Sequence, residues 1–142
     1  MNGILRAATG APLTAAADST SCNCPGNGNF ADAVAPVRIL GGTGPGQLWF
    51  DTSAFAQPGP NRFGTAGRNT IRGPGLINYD FSVFRNFRIM EAARIEFRSE
   101  FYNLTNTPHF NNPNGNFNSG IFGQVTSSYG ERQIQFALRL VF

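Results

Sequence analysis

The sequence predicts an all-β chain whose strands pair antiparallel. Two observations lead to this class: long stretches in which apolar and polar side chains alternate, and a composition rich in turn residues, with 17 Gly and 9 Pro. Alternation with a period of two places successive side chains on opposite faces of a strand. Gly, Pro and Asn form the turns between strands. No amphipathic helix of useful length can be found, so we expect a meander of strands joined by loops.

The strands are predicted in three places along the chain. Residues 1–9 form a first strand, residues 76–104 form a hairpin with a tight turn at residues 90–92, and residues 131–142 form a terminal strand. The two hairpin strands and the terminal strand each run to roughly a dozen residues, about twice the usual length of a strand in a soluble protein. The predicted fold class must therefore account for strands of this length.

Two long connections separate these strands. Residues 10–75 are rich in Gly, Pro, Asn and Ala and include GGTGPG at residues 41–46, and residues 105–130 hold a second set of turn residues. Within the second connection, residues 121–128 are predicted as a short strand. Structureless loops longer than about 15 residues are uncommon in compact domains. We therefore expect a scaffold that carries long loops, not an ordinary small globular domain.

The two faces of the predicted strands differ in chemistry. One face is expected to contact lipid, and Arg85 is its polar exception. The other is expected to line an aqueous lumen, and Phe84 is its apolar exception. Charges of alternating sign on one strand cannot lie against a dry core without water or opposite charges on neighbouring strands. The predicted lipid face comprises Ile77, Tyr79, Phe81, Val83, Phe87, Ile95, Phe97, Phe101, Ile134, Phe136, Leu138, Leu140 and Phe142. The predicted lumen face comprises Asp80, Arg88, Arg94, Glu96, Arg98, Glu100, Gln135 and Arg139.

Strand length and loop length together favour a transmembrane β-barrel over a soluble sheet. A strand of a dozen residues spans about 40 Å, enough to cross an apolar band of about 25 Å at a tilt near 45°. The connections alternate between short and long, as periplasmic turns and extracellular loops do in outer-membrane barrels. We therefore expect the last four or so strands of such a barrel, with residues 10–75 and 105–130 outside. Closed barrels need about 8 strands, so the chain is expected to be a fragment.

Charge and cysteine content argue against several other classes. All 11 basic residues are Arg, and they are spread along a chain of net charge +3. The clustered basic patch that is typical of a nucleic-acid-binding protein is therefore missing. Cys22 and Cys24 are one residue apart, and a disulfide across a single residue is strained. Two thiolates also make a poor zinc site. We expect unpaired loop thiols, with no metal and no cofactor.

No catalytic constellation is visible, so we do not expect an enzyme. Glu96 and Glu100 lie four residues apart on one strand, roughly 13 Å by strand rise, too far for a pair of glycosidase acids. His109 has no nearby nucleophile or acid of the kind that triad chemistry requires. The GGTGPG loop lacks the Lys and Ser/Thr of a phosphate-binding loop.

Two loop features leave alternatives open. Trp49, Phe50 and Phe55 either contact a ligand or, as we favour, pack a loop onto the barrel rim. Asn103-Leu104-Thr105 matches the N-glycosylation pattern, but it is better explained as the end of a strand.

Three segments resemble the C-terminal part of TonB-dependent outer-membrane receptors, in particular the Oar-like group, which carries a carboxypeptidase-regulatory-like front domain. They are residues 50–87, residues 97–114 (FRSEFYNLTNTPHFNNPN) and residues 132–142 (RQIQFALRLVF). The last segment is also similar to the general outer-membrane assembly signal. That signal has a polar residue, a small residue two positions on, then an apolar residue and a terminal aromatic. Here these are Gln135, Ala137, Leu140 and Phe142, with Ala137 where Gly is usual.

The resemblance implies a receptor barrel of about 22 strands around an N-terminal plug, with uptake of a substrate when TonB pulls on the plug. It implies four kinds of partner: outer-membrane lipid, the remaining strands and plug of a parent receptor, the barrel-assembly machinery, and TonB through the plug alone. This chain contains no plug sequence, so it is not expected to transport by itself. The alternative is a secreted or surface β-rich binding module, in which the apolar faces would pack on a second sheet.

Overall fold

Every regular element that the structure describes is a β-strand, apart from one short 3-10 helix. The computed structural model describes residues 1–20, 22–24 and 26–142. No helix within these ranges is long and apolar enough to cross a membrane. The paired strands are antiparallel, which confirms the predicted class. The strands are β1 Asn2–Ala8, β2 Pro12–Leu13, β3 Ala16–Ala17, β4 Asn29–Phe30, β5 Asp32–Ala33, β6 Phe55–Ala56, β7 Ile71–Arg72, β8 Leu76–Arg88, β9 Arg94–Tyr102, β10 His109–Phe110, β11 Ser128–Tyr129 and β12 Gln133–Val141, and the 3-10 helix is Thr52–Ala54.

The chain divides into two compact units. The sheet unit comprises Met1–Ala8, Leu76–His109 and Tyr129–Phe142. The loop unit comprises Thr9–Gly75 and Phe110–Ser128. Each unit therefore joins segments that are far apart in sequence.

The sheet unit is a four-stranded antiparallel sheet in the order β1-β8-β9-β12. Its register places Gly3 opposite Phe81, Phe81 opposite Phe101, and Phe101 opposite Ile134. Residues that face each other across neighbouring strands lie on the same side of a sheet. The alternation within each strand therefore lines up into two continuous faces. The turn between β8 and β9 is tight, with the Ile89 N–H donating to the Ala93 carbonyl at 2.9 Å.

The loop unit has a hydrophobic core of its own, built from alanine and phenylalanine. The rings of Phe55 and Phe122 contact Phe50 edge-on, with centroids 5.9 and 5.2 Å away. Three short strand pairs, β2 with β7, β3 with β4 and β5 with β6, hold the backbone around this core. The long loop expected at residues 10–75 is therefore a folded part of the chain with its own core. Small alanines let backbone segments approach closely, and the rings fill the space between them. The buried core residues are Ala15, Ala31, Phe50, Ala54, Phe55, Ala66, Ile71 and Phe122.

The aromatic residues of the loop pack inside this unit. Phe50 is fully buried and Phe55 is nearly so. The Trp49 indole N–H donates to the Arg72 carbonyl at 2.7 Å. Phe50 and Phe55 are thus core residues of the loop unit, and neither the ligand-contact nor the rim-packing interpretation describes them.

Two further expectations for the loops are wrong. Cys22 and Cys24 form a disulfide, because the chain turns at Asn23 (φ 49°) and brings the two Cα atoms to 5.2 Å. That separation lies within the usual range for a disulfide. The predicted strand at residues 121–128 is absent except for its last residue, Ser128 of β11. The segment begins with a turn, in which the Gln124 N–H donates to the Ile121 carbonyl at 3.0 Å.

An ion pair holds the backbone of the loop unit at β5. The Arg62 guanidinium donates two hydrogen bonds to the Asp32 carboxylate, one of them 2.8 Å from Nη1 to Oδ1. The Thr65 N–H also donates to Asp32 Oδ1, at 3.2 Å. The hydrogen bonds from Arg62 hold the pKa of Asp32 below its ordinary value.

We expect the loop unit to lose stability in acid, in part through Asp32. Because the folded-state pKa of Asp32 is depressed, its contribution is present above the unfolded pKa. It is lost as the pH falls through the folded pKa, below about pH 4. Thermal unfolding followed by the fluorescence of the single Trp49 between pH 3 and 6 measures this loss. Asp32→Asn should be less stable at pH 6 and should show a shallower decline in acid. A pH profile parallel to that of the unmutated chain would contradict the role of Asp32.

Candidate functional site: the two faces of the sheet unit

The apolar face of the sheet unit is left largely uncovered. Leu138 is 71% exposed and Phe136 is 65% exposed. Contiguous exposed apolar surface of this kind marks contact with a membrane or a partner. By register, the face holds those residues of the predicted lipid face that lie within the strands, which excludes Phe142, and it adds Leu5 of β1, which lies opposite Tyr79.

Ser99 is a polar residue on the apolar face, and aromatic rings lie around it. Ser99 lies directly opposite Phe136 and is 4% exposed. The rings of Phe97 and Phe101 each lie 6.3 Å from the Phe136 ring, and the Ser99 hydroxyl has no hydrogen-bond partner. The small side chain leaves room for the three rings, which explains a residue that breaks the alternation.

The polar face carries the charged residues of the predicted lumen wall. Arg139 of β12 lies directly opposite Glu96 of β9. The Glu96 carboxylate is 3.1 Å from the Arg94 Nε and 3.9 Å from the Arg139 Nη1. Opposite charges thus meet along and across the strands, as the alternating charges require. Exposed ion pairs of this kind add little stability, so their effect is chiefly to make this face hydrophilic. Asp80, Arg88, Arg98, Glu100 and Gln135 share the face, by register and alternation.

Arg85 and Phe84, the two exceptions to the alternation noted in the sequence, have aromatic or cationic partners in the structure. The guanidinium carbon of Arg98 lies 5.0 Å from the ring centroid of Phe84, so a cation covers the apolar residue of the polar face. The guanidinium carbon of Arg85 lies 5.7 Å from the ring centroid of Phe87 on the apolar face.

A buried asparagine at the end of β9 joins several parts of the sheet unit. Asn103 is 4% exposed and has a φ of 50°. Its backbone N–H donates to the Asp80 carboxylate at 2.9 Å. Its side-chain amide donates to the carbonyls of Thr107 and Gly130, and its amide oxygen accepts from the Thr107 N–H. We call this arrangement the Asn103 corner. Asparagine is among the residues that most readily adopt positive φ.

The Asn103 corner is the part of the site that sequence reasoning missed. The residue was expected only to end a strand, with a glycosylation pattern as the alternative. The glycosylation interpretation is wrong, because the amide is buried and its hydrogen bonds are taken. The useful signal in the sequence was the clustering of Asn and Thr in residues 103–107, since their side chains bond readily to nearby backbone.

Three of the four residues of the predicted assembly signal lie in β12, and they occupy both of its faces. Gln135 and Ala137 lie on the polar face and Leu140 on the apolar face. Phe142 follows the strand and is 94% exposed. β12 is an edge of the four-stranded sheet, so backbone groups along it are available to another strand. The assembly role of these residues stays a prediction.

The candidate catalytic residues are engaged in other contacts. Glu96 pairs with arginines, and the His109 Nε2 lies 3.3 Å from the Ile77 carbonyl oxygen in a buried position. Within the described ranges, no group of three or more His, Cys, Asp or Glu lies close enough together to hold a metal ion.

An antiparallel sheet with one exposed apolar face and one charged face has the construction of a membrane β-barrel wall. The family model of an outer membrane beta barrel domain matches residues 1–135. The chain belongs to this family and is an outer-membrane protein that associates with outer-membrane lipid. Comparison with curated proteins and with solved structures gives no match.

Proposed function

We propose that the chain is a wall segment of a TonB-dependent receptor of the Oar-like group, which takes up a substrate across the outer membrane. The observation that carries this proposal is the four-stranded sheet itself, with an exposed apolar face, a charged face and free edges at β1 and β12. In such a wall, the apolar face contacts lipid and the charged face lines the lumen. We infer no enzymatic activity, because the candidate acids and His109 are engaged in other contacts.

The segments that carry the resemblance have defined places in the structure. Residues 97–114 contain most of β9, Asn103 and its partner Thr107, and residues 132–142 contain β12. These are the elements that order the polar face and its far edge. These places support the receptor proposal, because residues 97–114 and 132–142 both contribute strands to the proposed barrel wall.

The same sheet is not expected to transport alone. Four long strands cannot enclose a channel, since the smallest closed barrels have about 8 strands. Unpaired backbone groups at a sheet edge are also unfavourable in lipid. We therefore propose that β1 and β12 pair with strands of a parent receptor, and that TonB acts through the plug of that parent.

The test joins this chain to the coding sequence directly upstream and compares the joined protein with the chain alone. We expect the joined protein to migrate as a heat-modifiable barrel and to retain the C-terminal domain of TonB in a pull-down. The chain alone should do neither. Upstream sequence without plug or barrel strands, or a joined protein that does not retain TonB, would overturn the receptor proposal. Membership of the outer-membrane barrel family would be unaffected.

A surface β-rich binding module is the second candidate. It would have to cover the apolar face, but Leu138 and Phe136 remain exposed. Refolding followed by circular dichroism separates the two candidates. A barrel wall should gain strand signal in detergent and aggregate in plain buffer. A monomeric, cooperatively folded β-protein in buffer would favour the binding module.

Deleting Phe142 from the joined protein should lower its outer-membrane level several-fold. The reason is that the terminal aromatic residue belongs to the predicted assembly signal and is fully accessible to the assembly machinery. Immunoblots of outer-membrane fractions measure the level. Phe142→Tyr retains an aromatic ring and serves as the matched control. Equal levels for the deletion and the control would remove Phe142 from the signal.

A further inference from the structure

A pocket of about 310 Å³ opens on the polar face, where β9 ends and β12 begins. It belongs wholly to the sheet unit and takes residues from β1, β8, β9, β11 and β12. The residues that matter for its chemistry are Arg6, Asn78, Tyr102, Tyr129, Glu131 and Gln133. The sequence predicted a charged lumen wall on this face, but it did not predict this pocket.

Two half-exposed tyrosines supply its aromatic surface. The Tyr102 hydroxyl donates to the Glu100 carboxylate at 3.2 Å. The Tyr129 ring lies edge-on to His109, with centroids 5.4 Å apart. Each ring therefore has a contact that restrains it before any ligand binds.

The Asn103 corner holds the rest of the pocket in place. Asp80 accepts from the Asn78 side chain and from the Asn103 N–H, both at 2.9 Å. Asn103 also donates to the carbonyl of Gly130, which adjoins Tyr129. Gly130 has a φ of 78°, and a Cβ there would lie 2.3 Å from the His109 ring, so only glycine fits. A pocket restrained in this way loses little conformational entropy on binding.

The remaining groups are free to meet a ligand. None of the side-chain hydrogen bonds and ion pairs found among the described residues involves Arg6, Glu131 or Gln133. Arg6 offers only donors, Glu131 only acceptors, and Gln133 offers both. An anionic ligand would be repelled by two carboxylates, those of Asp80 and Glu131. A cationic ligand would be repelled by the Arg6 guanidinium.

We propose that this pocket binds a neutral saccharide. Each sugar hydroxyl both donates and accepts, so a sugar uses the mixed donors and acceptors at once. The aliphatic face of a sugar ring packs on the aromatic surface of Tyr102 and Tyr129. The inference goes beyond the proposed receptor function, because it needs only the sheet unit and not a plug or TonB.

The test measures binding of maltotriose and cellotriose to the full chain folded in an alkyl amine-oxide detergent. Alkyl maltosides are avoided because their head group is itself a sugar. Saturation-transfer NMR should show magnetisation transfer to the sugar C–H protons from the unmutated chain. Tyr129→Ala should weaken binding by up to about tenfold, and Gln133→Ala should weaken it several-fold.

Three controls make the result specific. Tyr79→Ala removes a tyrosine from the opposite face and should leave binding unchanged. Tri-alanine, a zwitterionic peptide, should show no transfer. Circular dichroism checks that each variant keeps its strand content.

Two kinds of result would overturn the saccharide proposal. The first is no sugar signal from a chain with normal strand content, or equal binding by the unmutated chain, Tyr129→Ala and Gln133→Ala. The second is preferential binding of tri-alanine. The TonB pull-down is independent of these outcomes, so failure of one proposal can be told from failure of the other.

Discussion

Leu138→Arg should prevent stable insertion of the joined protein, in which this chain follows its upstream coding sequence, into a lipid bilayer, whereas Gln135→Arg should leave insertion unchanged. Both residues lie on β12, three positions apart and on opposite faces of the sheet. An arginine on the lipid face near the bilayer midplane costs about 2–4 kcal/mol. At position 135 the new guanidinium would lie opposite Glu100, where an opposite charge is favourable.

Refolding into phospholipid vesicles measures this difference. The inserted fraction is obtained from protection against added protease across a urea titration. Leu138→Ala separates the loss of the leucine from the gain of the charge. Equal insertion of the two arginine variants would mean that the apolar face does not contact lipid. Weaker insertion of Gln135→Arg than of Leu138→Arg would reverse the assignment of the two faces.

Phe50→Ala should unfold the loop unit. Phe50 is fully buried and contacts Phe55 and Phe122 edge-on. Truncation of a buried phenylalanine to alanine typically costs 3–5 kcal/mol. That amount is a large fraction of the stability of an ordinary domain, about 5–15 kcal/mol, and this core is small.

Trypsin supplies the measurement, because the loop unit contains Arg62, Arg68 and Arg72. Cleavage at these sites should be much faster in Phe50→Ala than in the unmutated chain. Phe63→Ala is the matched control, since Phe63 is 52% exposed and its truncation should leave the rate nearly unchanged. Slow cleavage of Phe50→Ala would show that the aromatic core does not hold the loop unit together.

Both faces of the sheet could be predicted from the sequence, because alternation is a local property of the chain. Ile134, Phe136 and Leu138 share a face in any extended strand, whatever surrounds them. The pairing then only had to bring like faces together, and a one-residue slip would have mixed them. The places of the long strands therefore match the structure closely, as does the composition of the apolar face, and the family match confirms the outer-membrane class.

The pocket and the Asn103 corner could not be predicted in the same way. Arg6, Asn78 and Gln133 come from three strands that are distant in sequence. Nothing in the local pattern says that their side chains line one cavity. The hydrogen bonds of Asn103 with Asp80 and Gly130 could not be predicted either, because they depend on how segments that are distant in sequence come together.

The sequence by itself determined the antiparallel class, the places of the long strands and the chemistry of their two faces. Only the tertiary structure decided that the long tract is a folded unit around Phe50, that Cys22 pairs with Cys24, and that a polar pocket forms beside the Asn103 corner. The physical reason is the range of the interactions. Strand alternation repeats every two residues, whereas a core without periodicity forms only when distant segments meet, at an entropic cost that no local pattern reveals.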